Sequence, residues 1–177
     1  KNSFIKLIVR IKDKIVADGL GNDELDLSNI GNSLSASEFN VAMKDPDSVI
    51  IDMRNYYESE VGRFNNAICP DSETFKDILP LVKEMLRGKE KNTLLLYCTG
   101  GIRCEKASAY LKHNHFQDVN QLKGGIVSYA RQVEEQNLEN KFKGKNFVFD
   151  SRMGENITND IISQCHQCNA PSNRHTN

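Results

Sequence analysis

The chain has 177 residues, of which 38% are hydrophobic and 27% charged, and its formal net charge is −1. These values describe a soluble globular chain of average type, long enough for one ordinary domain plus a flank but not for two full domains. No apolar run approaches the ~20 residues of a membrane span, no signal peptide opens the sequence, and no overall basic field announces a nucleic-acid binder.

Charge is unevenly spread. Residues 1–16 are strongly basic, 17–60 strongly acidic, and the remainder mildly basic. Such asymmetry implies distinct surfaces but names no partner. The chain starts at Lys1 and stops at Asn177, and it is expected to be a trimmed piece of a longer protein. The five cysteines are an odd number without secretory signals, which points to reduced thiols in the cytoplasm rather than a disulfide framework.

In chain order, Phe4 to Val16 partly alternates apolar and basic residues, as a strand or hairpin edge does. Residues 17–33 read as an acidic linker opening with a turn cluster at Gly19 to Asp23. Ser35-Ala36-Ser37-Glu38 is a capping box that predicts a short helix to about Lys44, stopped by Asp45-Pro46-Asp47. Val49-Ile50-Ile51 predicts a short buried strand that ends at Asp52-Met53-Arg54.

A helix containing Pro80 is predicted from about Thr74 to Arg87, with Gly88 as its stop. Thr93 to Tyr97 is the most apolar strand, and it runs through a Gly-containing loop into a helix from about Arg103 to His113. Val119 to Leu122 predicts another strand, Ile126 to Gln136 another helix, and Phe147 to Asp150 a last extended piece. Short apolar strands alternating with helices imply an α/β fold, a parallel sheet covered on both faces. The tail from Gly154 is polar and reads as loose.

The chemistry concentrates at Cys98-Thr99-Gly100-Gly101-Ile102-Arg103. In open α/β sheets functional sites lie at the carboxyl ends of strands, where Cys98 sits. Gly100 and Gly101 allow successive N–H groups to converge into an anion nest, the following helix adds its positive end, and Arg103 adds a fixed charge. Each effect favours thiolate, the nucleophilic form of cysteine. The plainer reading is a small buried residue closing a strand. It does not account for two glycines, an arginine and a helix start in succession.

This loop resembles the active-site loop of the rhodanese superfamily. Four residues separate Cys98 from Arg103, and Tyr97 precedes the cysteine. The related phosphatases have five intervening residues and often a His before the Cys, so phosphatase chemistry is disfavoured. Asp52-Met53-Arg54 is similar to the family's Asp-x-Arg. In a strand Asp52 and Arg54 share a face, and a surface ion pair explains them equally well. Gly62 to Ile68 resembles Gly-His-Ile-x-Gly-Ala, with departures at Arg63, Phe64 and Asn66. Leu122 to Ile126 resembles the closing Leu-x-Gly-Gly, with Tyr129 where many members have Trp. This resemblance spans about residues 34–137.

Tyr97 through Ser108 is more specific. With Leu122 to Ile126 and Phe147 to Arg152, it resembles the rhodanese-family tRNA uridine hydroxylases. That resemblance implies tRNA, through its anticodon loop, as the partner, molecular oxygen as co-substrate, and hydroxylation of the wobble uridine as the reaction. It also implies that residues 1–16 end an N-terminal ferredoxin-like (acylphosphatase-like) domain, and that 138–177 is a C-terminal extension beginning a Cys-rich segment. A rhodanese sulfurtransferase, carrying a persulfide on Cys98, is the alternative. A non-enzymatic module is a minor third reading, since an inert version should lack the cysteine.

Cys104 has two readings of equal standing, a thiol that resolves a persulfide or disulfide on Cys98, and a helix residue facing the sheet. Cys69 reads as structural. Cys165-x-x-Cys168 has the spacing of half a zinc site. Four ligands are needed, His166 is badly placed between the cysteines, and His175 is the other candidate, so zinc is expected only in a longer chain. No flavin, haem or non-haem iron fingerprint is evident. Lys106 could reinforce the electropositive rim, with a solvated helix face as the plainer reading, and His113 and His115 read as residues placed favourably at a helix C-terminus. Oligomeric state is not legible.

Overall fold

The computed structural model describes residues 16–20, 25–150, 152–165 and 167–172, together with positions 9 and 11. In chain order the elements are β1 (Asn32–Leu34), α1 (Ala36–Ala42), β2 (Val49–Asp52), α2 (Tyr56–Ser59), β3 (Gly62–Phe64) and α3 (Phe75–Met85). They continue as β4 (Thr93–Tyr97), α4 (Ile102–His113), β5 (Asp118–Leu122), α5 (Gly125–Gln136), β6 (Phe142–Asn146) and β7 (Glu155–Asn156).

The apolar run of β4 lies inside a four-stranded sheet of order β1-β5-β4-β2, and all three pairings are parallel. Alternation along β4 divides the core. Leu94, Leu96 and Cys98 face one side, where Ile78, Leu79 and Val82 of α3 and Ala107 and Leu111 of α4 cover them. Leu95 and Tyr97 face the other, against Phe39 of α1 and Ile126, Tyr129 and Val133 of α5. Each such large apolar side chain contributes about 1.5–3 kcal/mol by leaving water. The expected parallel sheet with helices on both faces is what forms.

The capping box at Ser35 is present, with the Glu38 carboxylate accepting from the Ser35 amide at 2.8 Å. Pro80 lies within α3 on its exposed side, while Phe75, Ile78, Leu79 and Val82 keep helical spacing on the buried side. His113 falls in the last turn of α4, and His115 just beyond it.

Four features differ from the sequence expectation. First, the end of the expected linker is β1, an edge strand pairing Asn32 with Asn120. Residues 16–20 also pack, with Val16 and Leu20 against the core and Asp18 3% exposed. Second, α2 and β3 were not predicted, because four and three residues are too short for a periodic signal. Third, the extended piece expected at Phe147 to Asp150 is not a strand. The strand is β6, which pairs antiparallel with β3 and β7. Its buried positions are Phe142, Gly144 and Asn146, so the period-2 pattern carries only one large apolar residue. Fourth, the strand expected at Phe4 to Val16, and with it the ferredoxin-like remnant, lies outside the described residues apart from positions 9, 11 and 16.

Candidate active site

The site is built where β4 ends. Gly101, at φ +99°, turns the chain into α4, in a backbone conformation that side-chain-bearing residues rarely adopt. Two N–H groups at the start of α5 hold the loop from the other side. Ile126 donates to the Cys98 carbonyl at 3.0 Å and Val127 to that of Thr99 at 3.2 Å. This approach explains Gly125, where a Cβ would sit 2.4 Å from the Cys98 carbonyl oxygen and 2.5 Å from that of Thr99. The Gly124-Gly125 pair therefore shapes the cysteine loop although it lies more than twenty residues downstream.

Cys98 is 1% exposed, and its Sγ accepts from the Gly101 amide at 3.1 Å. Its pKa falls from the ordinary value of 9.0 to about 6. The main cause is a hydrogen bond from the Cys104 thiol; burial opposes the shift, and the Arg103 charge and the Gly101 and Cys104 amides reinforce it. Cys104, fully buried on α4, moves the opposite way, pushed well up by burial and by its bond to Cys98. One sulfur is thus an anion at neutral pH and the other a protonated donor. Cys104 faces the core, the second of the two readings of it, and its thiol lies within hydrogen-bond reach of the Cys98 sulfur.

Arg103 does not stand alone as a charge on the rim. Its Nη1 and Nη2 donate to the two Glu58 carboxylate oxygens at 2.6 and 2.9 Å, and Nη2 reaches the Thr99 hydroxyl at 3.3 Å. Glu58 is fully buried and also accepts from the Asn55 amide at 3.0 Å. Glu58 was missed in the sequence. The Asn-x-x-Glu spacing of a short helix start was the available signal.

Asp52 and Arg54 do project together, but the surface pair expected of them is buried, with side chains 1% and 0% exposed and 2.6 Å apart. The Arg54 guanidinium lies over the rings of Tyr97 and Phe142, and its Nη2 donates to the Gly62 carbonyl at 2.6 Å. The pair fastens β2 to the small antiparallel sheet, on the face opposite Cys98. Lys106 is likewise not a solvated helix residue, because its ammonium pairs with the nearly buried Asp18.

A cleft of about 800 Å³ opens above the sulfur. Cys98, Gly100, Ile102, Arg103, Asn55, Phe75 and Phe149 line it, with Val16, the end of the expected N-terminal remnant, and Ala17, the start of the expected linker, forming part of a wall. Cys69 lies partly buried elsewhere, and burial raises its pKa.

Cys165 and Cys168 lie far along the chain in a turn where the Gln167 and Cys168 amides bond Cys165 Sγ and hold its pKa down. They have the spacing of two of the four ligands a structural zinc requires, and among the described residues no group of three or more His, Cys, Asp or Glu is placed to hold a metal ion. His166 and His175 lie outside the described residues.

A parallel sheet ending in a cysteine whose sulfur is held by loop amides, an arginine and a helix start is the arrangement of a rhodanese-type domain. The chain belongs to the rhodanese-like domain family, whose pattern matches residues 35–132; the rhodanase C-terminal family matches residues 143–177. The rhodanese-like domain of an Anabaena protein, solved by NMR, shares the fold at a TM-score of 0.50 and 15% identity, covering 65% of this chain and 80% of that one.

Two curated relatives bear the name tRNA uridine(34) hydroxylase. One, from Leptospira interrogans, is 59% identical over 99% of this chain and 48% of its own length. The other, from Yersinia enterocolitica, is 52% identical over 99% of this chain and 50% of its own length. The chain thus spans about half the length of the curated relatives it matches. No helix among the described residues is long and apolar enough to cross a membrane.

Proposed function

We propose that the full-length protein is a cytoplasmic tRNA-modifying enzyme that hydroxylates C5 of the wobble uridine, with Cys98 as nucleophile and molecular oxygen as co-substrate. The observation that carries this reading is a cysteine with a pKa of about 6 beneath an open cleft, in a chain that aligns almost throughout with proteins named tRNA uridine(34) hydroxylase.

In the proposed reaction the Cys98 thiolate adds to C6 of the uracil, and the C5–C6 electron pair moves onto C5 and the C4 carbonyl as an enolate. C5 then attacks dioxygen. One oxygen atom stays on C5, the C5 proton is lost, and the S–C6 bond breaks to return the thiolate. The second oxygen atom leaves as water, with two electrons supplied by a thiol reductant that becomes a disulfide. The interactions that lower the Cys98 pKa also make its sulfur a good leaving group. A base in an anticodon loop is unstacked at little cost, which suits a nucleophile at the bottom of a cleft.

The second reading is sulfur transfer. The Gly101 amide and the Cys104 thiol would hold the terminal sulfur of a persulfide as readily as they hold the thiolate.

One replacement separates the two. In cells whose only copy of the full-length protein carries Cys98→Ala, mass spectrometry of tRNA should find the wobble nucleosides derived from 5-hydroxyuridine absent. If their level is unchanged, hydroxylation is not this protein's work, and a thiosulfate-to-cyanide assay on the purified wild type becomes the deciding measurement for sulfur transfer.

A further inference from the structure

The cleft lining includes an aromatic ring that stays largely exposed among the described residues. Phe149 is 63% exposed, yet its position is fixed by a run of ring contacts. Its ring centroid lies 5.1 Å from that of Phe147 at an interplanar angle of 73°. Phe147 lies 5.4 Å from Tyr57 at 70°, and Tyr57 lies 5.7 Å from Tyr56 at 82°. The Tyr57 hydroxyl is pinned in turn by the Asn55 side-chain amide, which donates to it at 2.7 Å.

Each contact is edge to face, the arrangement that ring quadrupoles favour. The run starts on α2, the same short helix whose Glu58 holds Arg103, and ends in the lining of the Cys98 cleft. A phenyl ring held in water gives up the gain of burying its surface. Here four rings order one of their number at the mouth of a nucleophile's cleft. Ile102, 47% exposed, and the nearly buried Phe75 extend the apolar part of the cleft lining.

We propose that Phe149 is the stacking platform for the target pyrimidine. A base that leaves its strand lies on the open face of this ring and is thereby held within the cleft, with its C5–C6 edge available to the sulfur. Aromatic stacking of splayed-out bases is the general means by which proteins capture single-stranded nucleic acid. The cleft volume is that of ordinary small-ligand sites, ample for one nucleotide. The platform rests on the reading that the substrate is a nucleobase, and it names the residue that would grip it.

The test uses the full-length protein as wild type, Phe149→Ala, Phe149→Leu and Phe149→Tyr. Binding of a single-stranded uridine oligomer and of an anticodon stem-loop is followed by fluorescence anisotropy, and hydroxylation of the stem-loop by mass spectrometry. Stacking is worth ~1–3 kcal/mol per base, so Phe149→Ala should weaken binding about 5- to 150-fold and raise KM more than it lowers kcat. Phe149→Leu should behave like Phe149→Ala, because it restores area without a flat face, and Phe149→Tyr should behave like wild type. The pH midpoint for alkylation of Cys98 should stay near 6 in all four, which a merely structural ring would not ensure.

Wild-type binding and turnover in Phe149→Ala and Phe149→Leu overturns the platform and leaves the hydroxylase reading standing. Binding that is lost in those two variants, with no hydroxylated product even from the wild type, keeps the platform and overturns the hydroxylase reading. Failure of the wild type to bind either RNA overturns the platform, as does a shifted alkylation midpoint in Phe149→Ala.

Discussion

Two arginines in this fold are clamped by carboxylates, and the contrast between them separates scaffold from site. Arg54 and Asp52 are two residues apart where the chain leaves β2, point to the same side, and are sealed from water on the aromatic side of the sheet. Arg103 and Glu58 are 45 residues apart and meet at the rim of the cleft, where the Arg103 side chain keeps 15% exposure. The first pair joins two sheets and touches no reacting group. The second joins α2 to the cysteine loop and sets a positive charge within reach of Cys98. The same ion-pair chemistry holds the fold in one place and favours a thiolate in the other.

The sharpest way to break the comparison is to remove each arginine. Arg54→Ala should have the largest effect on stability. It leaves the Asp52 carboxylate buried without its partner, a loss of about 3–5 kcal/mol for pairs of this kind. Chemical denaturation should show a midpoint drop of that size, or no folded protein, while Arg54→Met, which also strands Asp52, should not restore it. If Arg54→Ala unfolds like wild type, the pair is not the fastener described.

Arg103→Ala should cost less stability, since the Arg103 side chain keeps 15% exposure and water can enter the space it leaves, but it should move Cys98. Two changes act with the same sign. The cation that favours the thiolate is lost, and the Glu58 carboxylate is left uncompensated beside it. The midpoint for alkylation by iodoacetamide should rise from about 6 toward the ordinary thiol value of 9.0. Adding Glu58→Gln to Arg103→Ala should bring the midpoint part of the way back, the mark of coupled residues in a double-mutant cycle. An equal midpoint in the single and double variants would remove Glu58 from the account.

The pairs also mark what the sequence could and could not tell. Asp52-Met53-Arg54 was visible because both partners lie two residues apart at the end of one strand, although its complete burial was not. Burial depends on Phe142 and the β3–β6 sheet, which arrive from far along the chain. Glu58 was invisible as a partner, because a link across 45 residues leaves no local pattern. β4, the loop and α4 were legible because one apolar run, two glycines and one helix start are contiguous. β6 was not, because its inward positions include Gly144 and Asn146, which local hydropathy does not read as core. The cleft wall from Phe149 carried a sequence signal, four residues that looked like a strand. Only the three-dimensional run of rings makes sense of its exposure.

The smallest change tests the closest neighbour. Cys104 donates to the Cys98 sulfur and is the largest contribution to its low pKa. Cys104→Ala removes the donor and little volume, so it should cost only about 1 kcal/mol of stability. The Cys98 midpoint should rise, because the thiolate loses a hydrogen bond that the thiol form does not need. A bond from a weak S–H donor to an anion is worth roughly one pH unit of midpoint. The sign is read directly from rate against pH. In the wild type, alkylation should climb about tenfold per pH unit below 6 and level off above it, since only the thiolate reacts. In Cys104→Ala the climb should continue to higher pH before levelling. Cys104→Ser keeps a donor in the same place and should level off near the wild-type pH. If Ala and Ser variants titrate alike, the Cys104 thiol is only a packed neighbour, and the loop amides with Arg103 set the Cys98 pKa without it.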